Sequence, residues 1–129
     1  MNSLVIEKTY STPYINFASD TGKLEIFGES FPENASRFYT PVVQWLRDFI
    51  NEIKLEPVEV NIEVSYFNSS TSKVFLNIFG ILEEAVGAGK NITVNWLCDE
   101  ENESAVECGE EFKEDLTILP FNIILHCHL

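Results

Sequence analysis

Positive charge is what this chain has least of: eight Lys and Arg stand against 21 Asp and Glu, giving a formal net charge of −13 over 129 residues. That shortage argues against nucleic acid as a partner, because a phosphate backbone would be repelled instead of neutralised, and it disfavours an anionic membrane surface for the same reason. Proteins with basic patches are the partners such a surface favours, although acidity also serves solubility alone. No apolar run approaches the roughly 18 residues that span a bilayer. Met1-Asn2-Ser3-Leu4 lacks the basic start of a secretory signal, so a cytoplasmic location is expected. Cysteine is scarce and odd in number. Cys98, Cys108 and Cys127 have no close pairing motif, which suits a reducing compartment and argues against a disulfide framework. Gly87 and Gly89 follow a helical run instead of preceding one, so they do not make a phosphate loop, and neither nucleotide nor other cofactor is expected.

What is present is a globular composition. Hydrophobic residues make up 45% and aromatics 12%, too many for a disordered chain. The length suits a single domain, 1–129. Thr12 to Phe17 and Lys23 to Gly28 are short β-like runs joined by Ser19-Asp20-Thr21-Gly22, a hairpin signal. A breaker-rich segment from Gly28 to Asn34 introduces an amphipathic helix whose apolar half carries Ala35, Phe38, Val42, Trp45, Leu46, Phe49, Ile50 and Ile53. Ser30 with Glu33 has capping-box spacing, and Pro41 should kink this helix or mark where its regular part begins.

Next, Val58, Val60, Ile62, Val64 and Tyr66 alternate with polar residues, the pattern of a half-buried strand with Tyr66 on its inner face. From Val74 the period becomes helical, with Phe75, Ile78, Ile81, Leu82, Ala85 and Val86 inward, Phe79 at the margin and Leu76 towards the polar side. Ile92 to Cys98 is another strand, so strand, helix and strand form a βαβ unit with a right-handed crossover. Residues 99–115 are strongly acidic and support a short, mostly solvated helix at best, and Phe121 to Cys127 is the final strand. The expected fold is α/β: one mixed sheet of about five strands, with two main helices packed on it and a short acidic third.

Between the long strand and its helix lie Tyr66-Phe67-Asn68-Ser69-Ser70-Thr71-Ser72-Lys73, with four consecutive hydroxyl side chains. A serine there can cap the helix by accepting a backbone N–H. It can equally be a phosphorylation site, since free N–H groups and the positive end of the helix dipole would hold a phosphate. Ser72, Leu76, Phe79 and Glu83 form a patch within a turn or two of the cluster, where a partner sensing it would touch. Ser70 and Lys73 have the Ser-x-x-Lys spacing of some acyl-transferring enzymes, which leaves a small serine-dependent hydrolase as the alternative, without the companion motifs of those enzymes. His126 and His128 could share a metal if Cys98 or Cys108 converged on them; a satisfied or solvated pair is the default, and no metal is expected. Glu29 and Glu33 are read as capping and dipole-complementing charges.

Several phrases occur together and in order over nearly the whole chain. They are Thr9 and Ser11-Thr12-Pro13, Gly28-Glu29-Ser30-Phe31-Pro32-Glu33-Asn34, Phe38-Tyr39, Trp45-Leu46, Tyr66-Phe67-Asn68-Ser69-Ser70-x-Ser72-Lys73 and Val94-Asn95-Trp96. In them the chain resembles the SiaC family of bacterial regulatory phosphoproteins. The resemblance implies a non-enzymatic signalling protein with a fold similar to STAS-like anti-sigma-factor antagonists. In that scheme a junction hydroxyl is phosphorylated by a partner kinase and released by a PP2C-type phosphatase. The unphosphorylated form binds and stimulates a diguanylate cyclase, and phosphorylation favours a different complex. The family's acceptor directly follows the junction asparagine and falls on Ser69, where threonine would be usual. Thr71 is a second departure, leaving Ser70 and Thr71 as further candidates. Asn68, Ser72 and Lys73 would support the phosphate loop, and Leu76, Phe79 and Glu83 would meet the partner.

Overall fold

A computed structural model describes residues 1–127. Its elements are β1 (Leu4–Ile6), β2 (Tyr14–Phe17), β3 (Lys23–Ser30), α1 (Ala35–Glu52), β4 (Val58–Phe67), α2 (Ser69–Gly87), β5 (Ile92–Asp99), α3 (Glu103–Glu114) and β6 (Phe121–His126). The strands form one sheet in the order β1-β2-β3-β4-β5-β6. The first three pair antiparallel, and β3 to β6 run parallel. Each parallel strand returns beside its predecessor through a helix, so right-handed crossovers place α1, α2 and α3 on one face.

That face is the apolar one. Val58, Val60, Ile62 and Val64 of β4 and Ile92, Val94, Trp96 and Cys98 of β5 are buried, while the residues between them stay partly open. The opposite face carries a polar ladder across three strands. Asn61 donates to Glu59 at 2.9 Å, Asn95 to Asn61 at 2.9 Å and Asn122 to Asn95 at 3.1 Å. Under the helices, Trp96 anchors an aromatic cluster with Phe67, Phe75, Phe79, Phe112 and Phe121. Its indole N–H donates to the Ala105 carbonyl at 2.9 Å. Gly109 is obligatory there, because a Cβ would lie 2.6 Å from the indole Cδ1.

The sheet has six strands, one more than expected. The extra strand is β1, three residues long and too short to show a period, which pairs with β2. The acidic third helix is also more substantial than its charge implied. It runs for 12 residues because Ala105, Gly109 and Phe112 give it a buried stripe. Helix α1 begins at Asn34, whose Oδ1 accepts the Arg37 N–H at 3.0 Å, so Ser30 is not its cap. Pro41 lies inside the helix and does not mark its start. Its ring removes the hydrogen bond that residue 41 would otherwise donate to the preceding turn.

One residue expected at the margin is buried, and one expected orientation is reversed. Phe79 is 1% exposed, because α3 and β6 cover the side of α2 that the helical wheel left marginal; its ring lies 5.2 Å from those of both Phe112 and Phe121. Tyr66 faces outward. The β3–β4 register places Gly28 opposite Val64 but Glu29 opposite Tyr66, so Ser65 is an extra residue in β4. This bulge inverts the alternation beyond it, turning Phe67 inward to pack half-buried against the core and Tyr66 out. The Ser65 carbonyl is taken up by the Asn102 side-chain amide at 2.9 Å.

Candidate functional site: the hydroxyl junction between β4 and α2

The junction is capped by an asparagine and not by a serine. Asn68 is extended, with φ −86° and ψ 175°, and its Oδ1 accepts the Thr71 N–H at 2.9 Å. Its carbonyl receives the Ser72 N–H at 3.0 Å, and its own N–H donates to the Ser30 carbonyl at 3.1 Å. With the cap supplied by Asn68, the serine hydroxyls are released from that duty. Ser69 and Ser70 are exposed, and neither hydroxyl has a hydrogen-bond partner among the described residues.

Thr71 is different. It is fully buried, with Oγ1 at 2.9 Å from Ser30 Oγ and donating to the Ser30 carbonyl at 3.1 Å. Ser30 Oγ in turn lies 2.8 Å from the Tyr39 hydroxyl. One assignment satisfies all three: Tyr39 donates to Ser30, Ser30 to Thr71, and Thr71 to the carbonyl. The chain of hydroxyls ties the end of β3, the second turn of α1 and the first turn of α2. Burial pushes the Tyr39 phenol up to about 12, against the opposing pull of the Ser30 hydrogen bond. Thr71 is therefore removed from the acceptor candidates, because its oxygen is sealed in the core and already bonded.

Beside the exposed serines, the N-terminal halves of α1 and α2 border an open groove of about 510 Å³. Ser70, Lys73 and Asn77 line one side, Ser36 and Thr40 the other, with Tyr39 and Val43 below. Lys73 is exposed one turn after Ser69, and Ser72 is half-buried. The first turn of α2 contains no acidic residue. Since Ser70 has no base within hydrogen-bond reach among the described residues, the serine-hydrolase alternative lacks its first requirement.

The expected partner patch does not form as one surface. Leu76 is exposed, but Phe79 is core and Glu83 has an internal task. Its Oε1 accepts the N–H groups of Thr117, Ile118 and Leu119, each at 2.9 Å, holding the α3–β6 connection against α2. Those bonds, Leu119 first, hold its carboxyl below the usual range. His126 Nε2 lies 2.9 Å from Glu63 Oε2 on the open face, and His128 falls outside the described residues. Among the described residues no His, Cys, Asp and Glu side chains assemble in a group able to hold a metal ion. No helix among them is long and apolar enough to cross a membrane.

Sequence reasoning missed the Ser30–Tyr39 contact and the outward Tyr66. The first pairs residues from separate elements and leaves no local trace. The second depends on the bulge. The caps were legible in principle, because Asn34, Asn68 and Asn102 each precede a helical run.

The chain as a whole resembles known proteins. Residues 6–126 match the family described as SiaC family regulatory phosphoprotein. An uncharacterized protein of Pseudomonas aeruginosa is 35% identical over 126 residues, covering 98% of each chain. A solved structure of SiaC from the same organism superposes with a TM-score of 0.90 at 33% identity, covering 98% of this chain and 100% of that one. The matching chain in the complex of the diguanylate cyclase SiaD with its activator SiaC, also from Pseudomonas aeruginosa, gives 0.89 at 35% identity, covering 95% and 99%.

Proposed function

This chain belongs to the SiaC family of regulatory phosphoproteins, and we propose that it is a cytoplasmic partner-selecting switch whose state is set by a phosphoryl group on Ser69. As a member of that family it is a regulatory protein and not an enzyme. The observation that carries the reading is the exposed, unengaged Ser69 hydroxyl in the first turn of a helix that has no acidic residue there. A kinase can reach that oxygen without unfolding the junction. Ser70 shares the exposure and is the second choice.

Phosphorylation adds about −1.5 to −2 charges. In the free protein the first N–H groups of α2, the positive end of its dipole and the Lys73 ammonium can face that charge. At a dry interface the same group is expelled, since stranding a buried charge costs about 3–5 kcal/mol. Roughly every 1.4 kcal/mol is tenfold in affinity. The unphosphorylated protein then binds and activates a diguanylate cyclase, the activity that the relative's complex supports. A protein kinase and a PP2C-type phosphatase write and erase the mark, and the whole chain acts as one regulatory domain.

The test is phosphopeptide mapping after incubation with the kinase, with cyclase binding measured for the parent, Ser69→Ala and Ser69→Asp. The expected result is no phosphate on the alanine variant, retained binding for alanine and lost binding for aspartate. If the aspartate and alanine variants bind the cyclase equally well, Ser69 is not the switch.

A further inference from the structure

Beside the acceptor, on the same rim of the sheet, three aromatic rings from distant parts of the chain meet at the surface. Tyr10 follows β1, Phe31 follows β3 and Tyr66 precedes the end of β4. Tyr10 and Phe31 stand edge to face with centroids 5.4 Å apart, and Phe31 and Tyr66 with centroids 5.7 Å apart. Tyr10 is 89% exposed and Tyr66 56%. The platform is held from beneath. The Phe31 N–H donates to the Ser11 carbonyl at 2.8 Å, and the Thr9 side chain accepts the Thr12 N–H at 3.1 Å. The β4 bulge supplies the third ring by turning Tyr66 outward. Large amphipathic rings displayed in this way lose little side-chain entropy on binding, and Tyr is among the residues that dominate interface energetics.

The charge around the rings selects the occupant. Exposed Glu29 is the cross-strand neighbour of Tyr66, and exposed Glu33 follows Phe31 by two residues. Lys8 sits nearby over Gly28, in a chain with far more acid than base overall. A flat cation satisfies both features. Guanidinium stacks on aromatic faces and binds carboxylates or phosphates through paired N–H groups, which an ammonium cannot do in the same geometry. Ser69 lies three residues beyond Tyr66, within about 10 Å along even a fully extended chain. A phosphate there acts at roughly one screening length.

We propose that Tyr10, Phe31 and Tyr66 form a docking platform for an arginine-bearing segment of the partner that recognises the phosphorylated protein. Glu29 supplies a permanent anion and phosphorylated Ser69 a conditional one. The link to Ser69 rests on the functional reading above, whereas the platform itself does not. The phosphate then selects twice: it repels a partner with a dry interface and strengthens the grip on an arginine-bearing one.

The experiment uses the whole protein, unphosphorylated and with phosphoserine encoded at position 69. The probe is an acetylated alanine-based peptide carrying two arginines, with lysine and citrulline counterparts, followed by chemical-shift titration. The arginine peptide is expected to shift the Tyr10, Phe31 and Tyr66 resonances. Each of Tyr10→Ala and Tyr66→Ala should weaken it by about two- to fivefold, with Tyr66→Phe close to the parent and citrulline not binding. Phosphoserine should tighten the arginine peptide by about tenfold. Unchanged binding in both alanine variants, or citrulline binding as well as arginine, overturns the platform. Tyrosine-dependent binding that ignores the phosphate overturns the conditional anion. Failure of the switch itself is read separately, from cyclase binding by the Ser69 variants.

Discussion

Helices α2 and α3 both follow a parallel strand, and both are capped by an asparagine whose Oδ1 accepts the N–H three residues on. Asn68 reaches Thr71 at 2.9 Å and Asn102 reaches Ala105 at 3.2 Å. In both, that third residue is buried. They differ in what fills the first turn. Helix α3 has Glu103, a permanent negative charge at its positive end, while α2 has none and presents Ser69 and Ser70 instead. The cap fixes the geometry of a helix start, and its neighbour decides whether the dipole is satisfied always or only after a covalent event. A phosphoryl group on Ser69 would hold at α2 the place that Glu103 holds at α3.

The comparison can be broken most forcefully through binding. Phosphoserine at position 69 should weaken cyclase binding by about a hundredfold or more, whereas Glu103→Gln should leave it near the parent value; calorimetric titration of both would decide. A smaller effect, on stability, comes from the buried hydroxyl chain that α2, unlike α3, shares with α1 and the end of β3. Ser30→Ala strands the Tyr39 hydroxyl, 1% exposed, and should cost about 1–3 kcal/mol in denaturant unfolding. Adding Tyr39→Phe should recover part of that loss, because no unpaired phenol then remains.

Removing the caps comes next. Asn68→Ala should cost about 1 kcal/mol. Asn102→Ala should cost more, because its amide also holds the Ser65 carbonyl, and Asn102→Asp should separate the two tasks by keeping the cap and losing the donor. Smaller still, Ser69→Asp should stabilise the free protein, and Glu103→Gln destabilise it, each by about 0.3–1 kcal/mol. Thermal unfolding at low salt would show the opposite signs. Away from both junctions, the lowered Glu83 pKa stabilises the fold above its ordinary value of 4.5, and that contribution is lost as pH falls through the lowered folded value. Acid unfolding of Glu83→Gln should be flatter across that window.

The strands, their helices and the parallel pairing of β4 with β5 were legible because apolar period and breaker residues are local signals, whereas the parallel pairing of β3 with β4 and of β5 with β6 was not. The candidate site was legible in part. Asn68 and the serines announced a helix start, yet nothing local distinguished Ser69, which is open, from Thr71, which is sealed. That difference arises because Thr71 comes round to Ser30 and Tyr39, residues of other elements. Phe79 was marginal on the wheel of α2 alone and became core once Phe112 and Phe121 closed over it. Glu83 read as a surface charge because its three partners are backbone groups more than 30 residues away, which have no sequence signature. Tyr66 was misplaced because strand parity assumes an uninterrupted ladder, and a single extra residue changes it.

The Asn102 amide faces two ways. One end steadies the start of α3, and the other grips the kink in β4 that swings Tyr66 into view. Loss of that amide would free the Ser65 carbonyl, one residue before the ring that stands near the serines. The start of the acidic helix is thereby fastened to the strand that leads into its uncharged counterpart.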